Sequence, residues 1–389
     1  MRDIVLALVA QNENQILTQA SECIGRGLQR CGYRQHLLNF SDAEANRELL
    51  DLLRVGRVAF AYGFAGVGSR FSLADGSNLW TAARVPYAAL WYDHPAYNYQ
   101  QHLVDSPYVL HCYHVRDHIE ARHKYLPSTS STATLLPVPG PIELNVAAPD
   151  FGRRAPHILF AKTAMKQDWA EDWKRHPPPV TRILENLAEQ GRCDRNLNLA
   201  DAAKILFAEA GIDSGTNLDL FMGVLQEVDN WVRGWRSDKL VRALLPHPAQ
   251  IYGRGWDYLA GEQRRADLLP PVSADAYSKL VTESRIIANS NPLWRGGVHE
   301  RVIGGLAVGG VVLTDRTQRL DQSFASLENY VGFEWGDDLQ DVIADTLRRA
   351  SKDMADYRAA SHQALAEQLW AGTDRYVSLL AEAAGKLRV

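Results

Sequence analysis

Short, uninterrupted apolar runs alternate with helix-period stretches from the start of this chain, and that alternation restricts its fold more than any other feature. The runs are Ile4–Ala10, Tyr33–Leu38, Val58–Tyr62, Tyr87–Tyr92, Tyr108–Cys112 and Ala133–Pro137, with helical patterns such as Ile16–Arg30 and Ala43–Leu53 between them. A strand that is apolar at nearly every position has no face to give to water. Both faces must be covered, and strands alternating with helices cover them as a parallel sheet with helices on each side.

Proline then becomes dense, at Pro137, Pro139, Pro141, Pro149 and Pro156. Proline neither continues a helix nor donates to a ladder, so this stretch reads as a linker, with a domain boundary near Asp150. The pattern restarts at His157–Ala161. A helical insertion follows, spanning about 166–247, in which Val224, Val228, Trp231 and Trp235 recur on one face and read as core or domain-packing residues. Further strands are expected at Gln250–Tyr252, Arg285–Asn289, Gly310–Thr314 and Tyr330–Phe333. A helix is expected at Asp338–Arg349, with Leu339, Val342, Ile343 and Leu347 on its inner face. The expected organisation is a domain at 1–150, a second at 151–352, and C-terminal helices at 353–389 that pack back toward the first. Two doubly wound, Rossmann-like α/β domains would face a cleft at the carboxyl ends of their strands, where ligands bind in such sheets.

A length of 389 residues suits two domains. The net charge of −4 offers no bulk attraction to nucleic acid. The four cysteines, Cys23, Cys31, Cys112 and Cys193, are scattered without metal-site spacing, which fits a reduced, cytoplasmic setting. No run approaches the roughly 20 apolar residues of a membrane-spanning helix. The apolar start, Asp3–Ala10, passes directly into Gln11-Asn12-Glu13-Asn14 and reads as a buried strand, not a signal peptide.

The most informative segment is Arg285–Arg316: a strand ending in Asn289, a Gly296-Gly297 turn, a helix opening at Val298-His299-Glu300-Arg301, glycines at 304, 305, 309 and 310, and a strand closing on Thr314-Asp315-Arg316. Gly296 and Gly297 let the backbone approach a ligand, and the helix that follows offers free N–H groups and a positive dipole end suited to a diphosphate. Arg295 and Arg301 add positive charge. This segment, with the Tyr252-Gly253-Arg254-Gly255-Trp256 turn before it and Tyr330–Phe333 after it, resembles the C-terminal half of GT-B glycosyltransferases, especially the CgeB-like, group 1-related families. The resemblance implies a nucleotide-sugar donor as substrate and no metal or other cofactor. The diphosphate would lie on the N–H groups of Gly297, Val298 and His299, Glu300 would approach the nucleoside, and Asn289, Arg254, Arg295, Gly296 and Arg301 would complete the donor site. One departure stands out. Many relatives carry a ribose-binding glutamate where this chain has Gly304.

An inverting transfer needs a base for the acceptor's proton. Asp93 and His94 end the fourth expected strand, in Leu90-Trp91-Tyr92-Asp93-His94-Pro95, and either would serve. The glycine-bearing stretch Gly63–Arg70 reads as a flexible cleft loop. His111, His114 and His118 raise the question of a metal, but Tyr108–Cys112 reads as a strand, which puts His111 and His118 on different elements. No Asp-x-Asp pair of the metal-dependent transferases is present; the acidic clusters Asp168–Asp172 and Asp337-Asp338 sit in polar helical contexts. The expected function is transfer of a sugar from a nucleotide-diphosphate sugar to a protein, glycan or surface-polymer acceptor. The alternative is a non-catalytic nucleotide- or sugar-binding scaffold on the same fold.

Overall fold

The computed structural model describes residues 3–10, 16–137, 149–165, 169–293, 295–351, 357–367 and 373–388. Pro139 and Pro141 of the expected linker lie outside the described residues, as do Gln11–Asn14, Asp168, Trp294 and Asp353. The chain forms two compact units, Met1–Pro141 with Leu369–Val389, and Ile142–Gln368.

The first unit holds a six-stranded sheet in the order β2-β1-β3-β4-β5-β6. Its strands are β1 (Ile4–Val9), β2 (Arg34–Asn39), β3 (Val58–Phe64), β4 (Tyr87–Trp91), β5 (Val109–Tyr113) and β6 (Thr132–Leu135). All neighbouring pairs are parallel, and the order reverses between β1 and β3. Strand alternation sends Val5, Ala7, Phe60 and Tyr62 to one face, under Ile24 and Leu28 of the helix Ile16–Arg30 and Tyr376, Val377 and Leu380 of the helix Thr373–Gly385. The other face collects Leu6, Leu8, Ala61, Trp80, Tyr87, Trp91 and Tyr113. The last helix therefore belongs to the first unit although it follows the second in sequence. Gly27 permits its approach, since a Cβ there would lie 2.9 Å from Val377 Cγ2 and 3.0 Å from Thr373 Cγ2. Arg30 pairs with Asp374 alongside.

The second unit holds another six-stranded parallel sheet, in the order β12-β11-β10-β7-β8-β9. Its strands are β7 (Ala155–Ala161), β8 (Ala249–Tyr252), β9 (Asp267–Leu269), β10 (Ser284–Asn289), β11 (Val311–Asp315) and β12 (Tyr330–Phe333). Counted within the unit, the first and fourth strands are neighbours, and successive strands run outward in opposite directions from them. This is the Rossmann order, with its switch point between β7 and β10. Strand β9 was not legible in the sequence, because three residues at a sheet edge carry no periodic signal. One face packs Ile158, Phe160, Ile251, Ile286 and Leu313 under Leu240, Val241 and Leu244 of the helix Leu218–Leu244 and under Leu339 and Ile343 of the helix Leu339–Ser351. The insertion consists of the helices Trp169–Trp173, Pro178–Cys193, Leu199–Glu209 and Leu218–Leu244. Val224 and Val228 are buried in it, while half-buried Trp231 and Trp235 lie against Trp173 and Trp335.

Candidate functional site

At the switch point of the second unit, the residues just past β7 and β10 meet. Lys162 follows β7 and donates from Nζ to Ser290 Oγ, which follows β10, at 3.1 Å. Ser237 Oγ, from the inserted helix, is 3.3 Å from the same hydroxyl. No carboxylate hydrogen-bonds Lys162 among the described residues. Burial, followed by the like charges of Arg301 and Arg233, pushes its ammonium down to about 7. Sequence reasoning passed over Lys162. The signal available was a cation placed directly after the strand His157–Ala161.

The Tyr252–Trp256 turn shapes this corner. Gly253 adopts φ +153°, and a Cβ on it would fall 2.2 Å from the Lys162 carbonyl oxygen. Trp256 Nε1 donates to that same oxygen at 2.8 Å, and Ala164 N donates to Arg254 O at 2.8 Å. The glycine thus allows two backbones to touch, and the tryptophan locks the contact. Arg254 is exposed on this turn, beside the loop that follows Lys162.

Beneath the corner lies a buried polar network. Asn289 Nδ2 donates to Asn291 Oδ1 at 3.0 Å and to Thr314 Oγ1 at 3.1 Å, and Asn289 Oδ1 accepts from Arg301 Nη1 at 3.3 Å. Asn289 therefore aims Arg301 and has no amide atom left over. Asn291 N donates to Asp315 Oδ1 at 2.7 Å, and Trp335 Nε1 donates to Asp315 Oδ2 at 3.1 Å. These bonds satisfy groups that burial would otherwise penalise.

The helix Glu300–Ala307 opens on His299 as its N-cap. His299 Nδ1 is 3.3 Å from Arg301 N and 2.9 Å from Glu300 Oε2. The first contact uses the ring's lone pair and the second needs a proton on the same nitrogen, so they alternate. Burial holds the imidazole low, toward the neutral, capping form. Burial alone would raise the Glu300 carboxyl, but the positive charge of His299, when its ring takes a second proton, and that of Arg301 outweigh it and hold the group below the usual carboxylate range. The N–H groups of Gly297 and Val298 have no hydrogen-bond partner among the described residues. Arg295 and Gly296, both half-buried, precede them, and Arg319 N donates to Arg295 O at 3.1 Å. The later glycines serve packing. A Cβ at Gly305 would sit 2.7 Å from Val312 Cγ2, and one at Gly310 would sit 2.6 Å from Ile287 Cδ1. Gly304 is buried one turn after Glu300. Nearby, the Tyr277 hydroxyl is buried without a hydrogen-bond partner and is influenced by both Arg301 and Glu300.

In the first unit, Asp93 is exposed just past β4, and His94 is half-buried beside it. His94 Nδ1 accepts from Ala96 N at 3.2 Å, capping the short turn Pro95–Asn98. Neutral His94 thus carries its proton on Nε2 and has already committed its lone pair. The Gly63–Arg70 stretch corrects the expectation of a flexible loop. Gly66 and Gly68 take φ +67° and +89°, Trp80 Nε1 donates to Gly68 O at 2.8 Å, and the Tyr87 hydroxyl donates to Val67 O. Its backbone is tied to buried aromatic groups and is held in place. His111 lies on β5 and His118 on the helix Arg116–Tyr125, as the strand reading required. His111 Nδ1 accepts from Trp91 Nε1 at 3.0 Å. No group of three His, Cys, Asp or Glu side chains forms a metal site among the described residues. No helix among the described residues is long and apolar enough to cross a membrane.

The family model described as glycosyl transferase-like matches residues 235–376, which include the strand–turn–helix of the second unit. Among solved structures, HepE from Anabaena in complex with UDP-glucose aligns with a TM-score of 0.55 at 10% identity, covering 98% of this chain and 99% of that one. This is the GT-B glycosyltransferase fold. Two further structures align over nearly the whole chain. An alpha-glucosyltransferase in complex with UDP and a 13-mer DNA containing an HMU base gives a TM-score of 0.53 at 10% identity, over 98% of this chain and 99% of that one. AviGT4, a glycosyltransferase involved in avilamycin A biosynthesis, gives 0.51 at 12% identity, over 99% and 98%. No curated protein matches the sequence.

Proposed function

We propose that this chain transfers a sugar from a nucleotide-diphosphate sugar to a glycan, protein or surface-polymer acceptor. The observation that carries the reading is the half-buried cation at the Rossmann switch point. The like charges of Arg301 and Arg233 act on Lys162 more strongly than the opposite charge of Asp315, and no carboxylate is hydrogen-bonded to it among the described residues. An anion brought there would gain attraction in a poorly solvated site, and the Gly297 and Val298 N–H groups supply donors for its oxygens. A donor diphosphate fits those requirements. Lys162 and Arg301 would then stabilise the charge that develops on the leaving nucleotide, without a metal, and exposed Arg254 and half-buried Arg295 would add to it. Asp93 takes the acceptor's proton if the reaction inverts.

Support also comes from HepE, whose structure holds UDP-glucose. A second reading, a nucleotide-binding scaffold without turnover, is favoured by Gly304 in place of the usual acid. A thermal-shift screen against UDP, GDP, dTDP and CDP and their sugars, without added metal, tests the donor site by mass action. A shift for one nucleotide, together with slow hydrolysis of its sugar, supports the transferase. A shift with no turnover under any acceptor supports the scaffold. No shift at millimolar concentration removes the donor site itself.

A further inference from the structure

The loop that carries the donor N–H groups is gripped from below by the helical insertion, and one side chain does most of the gripping. Arg236, on the helix Leu218–Leu244, is 3% exposed. Its Nη1 donates to Asn291 O at 3.2 Å and Pro292 O at 3.3 Å and is 3.5 Å from Asp315 Oδ2, while its Nη2 donates to Gly191 O at 3.2 Å. Gly191 belongs to the inserted helix Pro178–Cys193. The guanidinium also lies over the Trp335 ring, 5.7 Å from its centroid.

We infer that Arg236 is a positioning residue for donor binding: it fixes the Asn291–Pro292 backbone to the insertion, and so sets where the Gly297 and Val298 N–H groups point. This rests on the reading of that turn as the donor site. Three physical points support it. The fork of a guanidinium reaches two successive carbonyls and a third on another element at once, which a single ammonium does not. The Asp315 carboxylate takes Arg236 on Oδ2 and Asn291 N on Oδ1, so the ion pair and the loop share one carboxylate. A second tie is independent of Arg236. A Cβ at Gly191 would meet Leu293 Cδ1 at 3.3 Å and Val232 Cγ2 at 2.8 Å, so Leu293 of the same loop is packed into a notch between the two inserted helices. The insertion therefore does more than cover the sheet; it holds the segment that leads to the donor turn.

Hydrogen exchange of the full-length chain, paired with UDP titration, tests this on Arg236→Lys. Amides of 290–298 should exchange at least tenfold faster, with first-unit amides unchanged, and the UDP dissociation constant should rise at least tenfold. The double variant Arg236→Gln with Asp315→Asn removes the buried charges together and should show the same loop exchange if the lysine variant does not fold. Unchanged exchange in 290–298 overturns the inference, whatever happens to affinity. Faster exchange with unchanged UDP affinity also overturns it, leaving Arg236 a purely structural residue. If the native chain binds no UDP, GDP, dTDP or CDP, the donor reading fails, and so does a positioning role for Arg236.

Discussion

Lys162 Nζ donates to Ser290 Oγ across 3.1 Å, joining the carboxyl ends of β7 and β10 where the second sheet reverses direction. The lysine is poised there near half-charge, with its ammonium held down at about 7 against an ordinary 10.5. Binding a diphosphate would favour the charged form. Below about pH 7 the charge is already present and affinity should be flat. Above that, each pH unit should weaken nucleotide binding by up to tenfold until the complex itself deprotonates. Titration calorimetry in buffers of different ionisation heat should register uptake of close to one proton at about pH 8. Lys162→Met should lose at least tenfold in UDP affinity and show no such uptake. Equal uptake in the variant would mean that another group titrates. The folded-state value lies below the unfolded one, so the folded chain holds fewer protons between about 7 and 10.5. This lysine's contribution to stability therefore improves as pH rises through that window.

Asp93 and His94 are adjacent, but their chemistry differs. His94 Nδ1 is engaged by Ala96 N, whereas the Asp93 carboxylate is exposed. Asp93→Asn should lower kcat by a factor of about 100 or more, the usual scale for loss of a general base, while leaving UDP affinity within twofold. His94→Asn keeps a side-chain acceptor for the turn and should retain most of the activity. The reverse ranking in steady-state kinetics would assign the base to His94.

Much of the fold was legible because buried parallel strands leave a continuous apolar signature. Of the strands in the second sheet only β9 escaped, being three residues long. The glycines were legible as close approaches, but the partner in each approach was not. Gly253 meets the Lys162 carbonyl and Gly305 meets Val312, contacts set by strand order and not by local sequence. Lys162 and Arg236 were illegible as site residues for the same reason. One is a lone lysine after an apolar run and the other a lone arginine in a long helix. Their significance arises only when β7 and β10 become neighbours and the helix Leu218–Leu244 crosses beneath the loop after β10.

Tyr277 carries a buried hydroxyl with no partner in the described structure, beside Arg301 and Glu300. An unsatisfied buried hydroxyl destabilises, so Tyr277→Phe should raise the unfolding free energy of the unliganded chain by roughly 1 kcal/mol, read as a shift in urea midpoint without a change in slope. A loss of stability on the same scale would show that the hydroxyl is hydrogen-bonded in solution.

The histidines of the first unit predict where the protein fails in acid. His111 and His114 are buried, and burial pushes each imidazole from 6.5 down to about 3. His102 is shifted the same way by burial and by its neighbour His111. In the unfolded chain these groups take up protons as pH falls below about 6.5, while the folded chain refuses them at His111 and His114 until about 3 and resists protonation of His102 well below its ordinary range. The unfolded state therefore binds more protons throughout that interval, and stability must fall as pH drops from 6.5 toward 3. Each histidine adds up to about 1.4 kcal/mol per pH unit to the slope once its unfolded form is fully titrated. His111→Asn keeps an acceptor for Trp91 Nε1 but does not titrate. Its stability at pH 7 should be lower because the replacement is smaller. Its loss of stability between pH 5.5 and 4.5, measured by urea unfolding, should be shallower than that of the native chain by close to one proton's worth. An unchanged slope would mean that His111 is already protonated in the folded state, which its contact with Trp91 Nε1 would not allow.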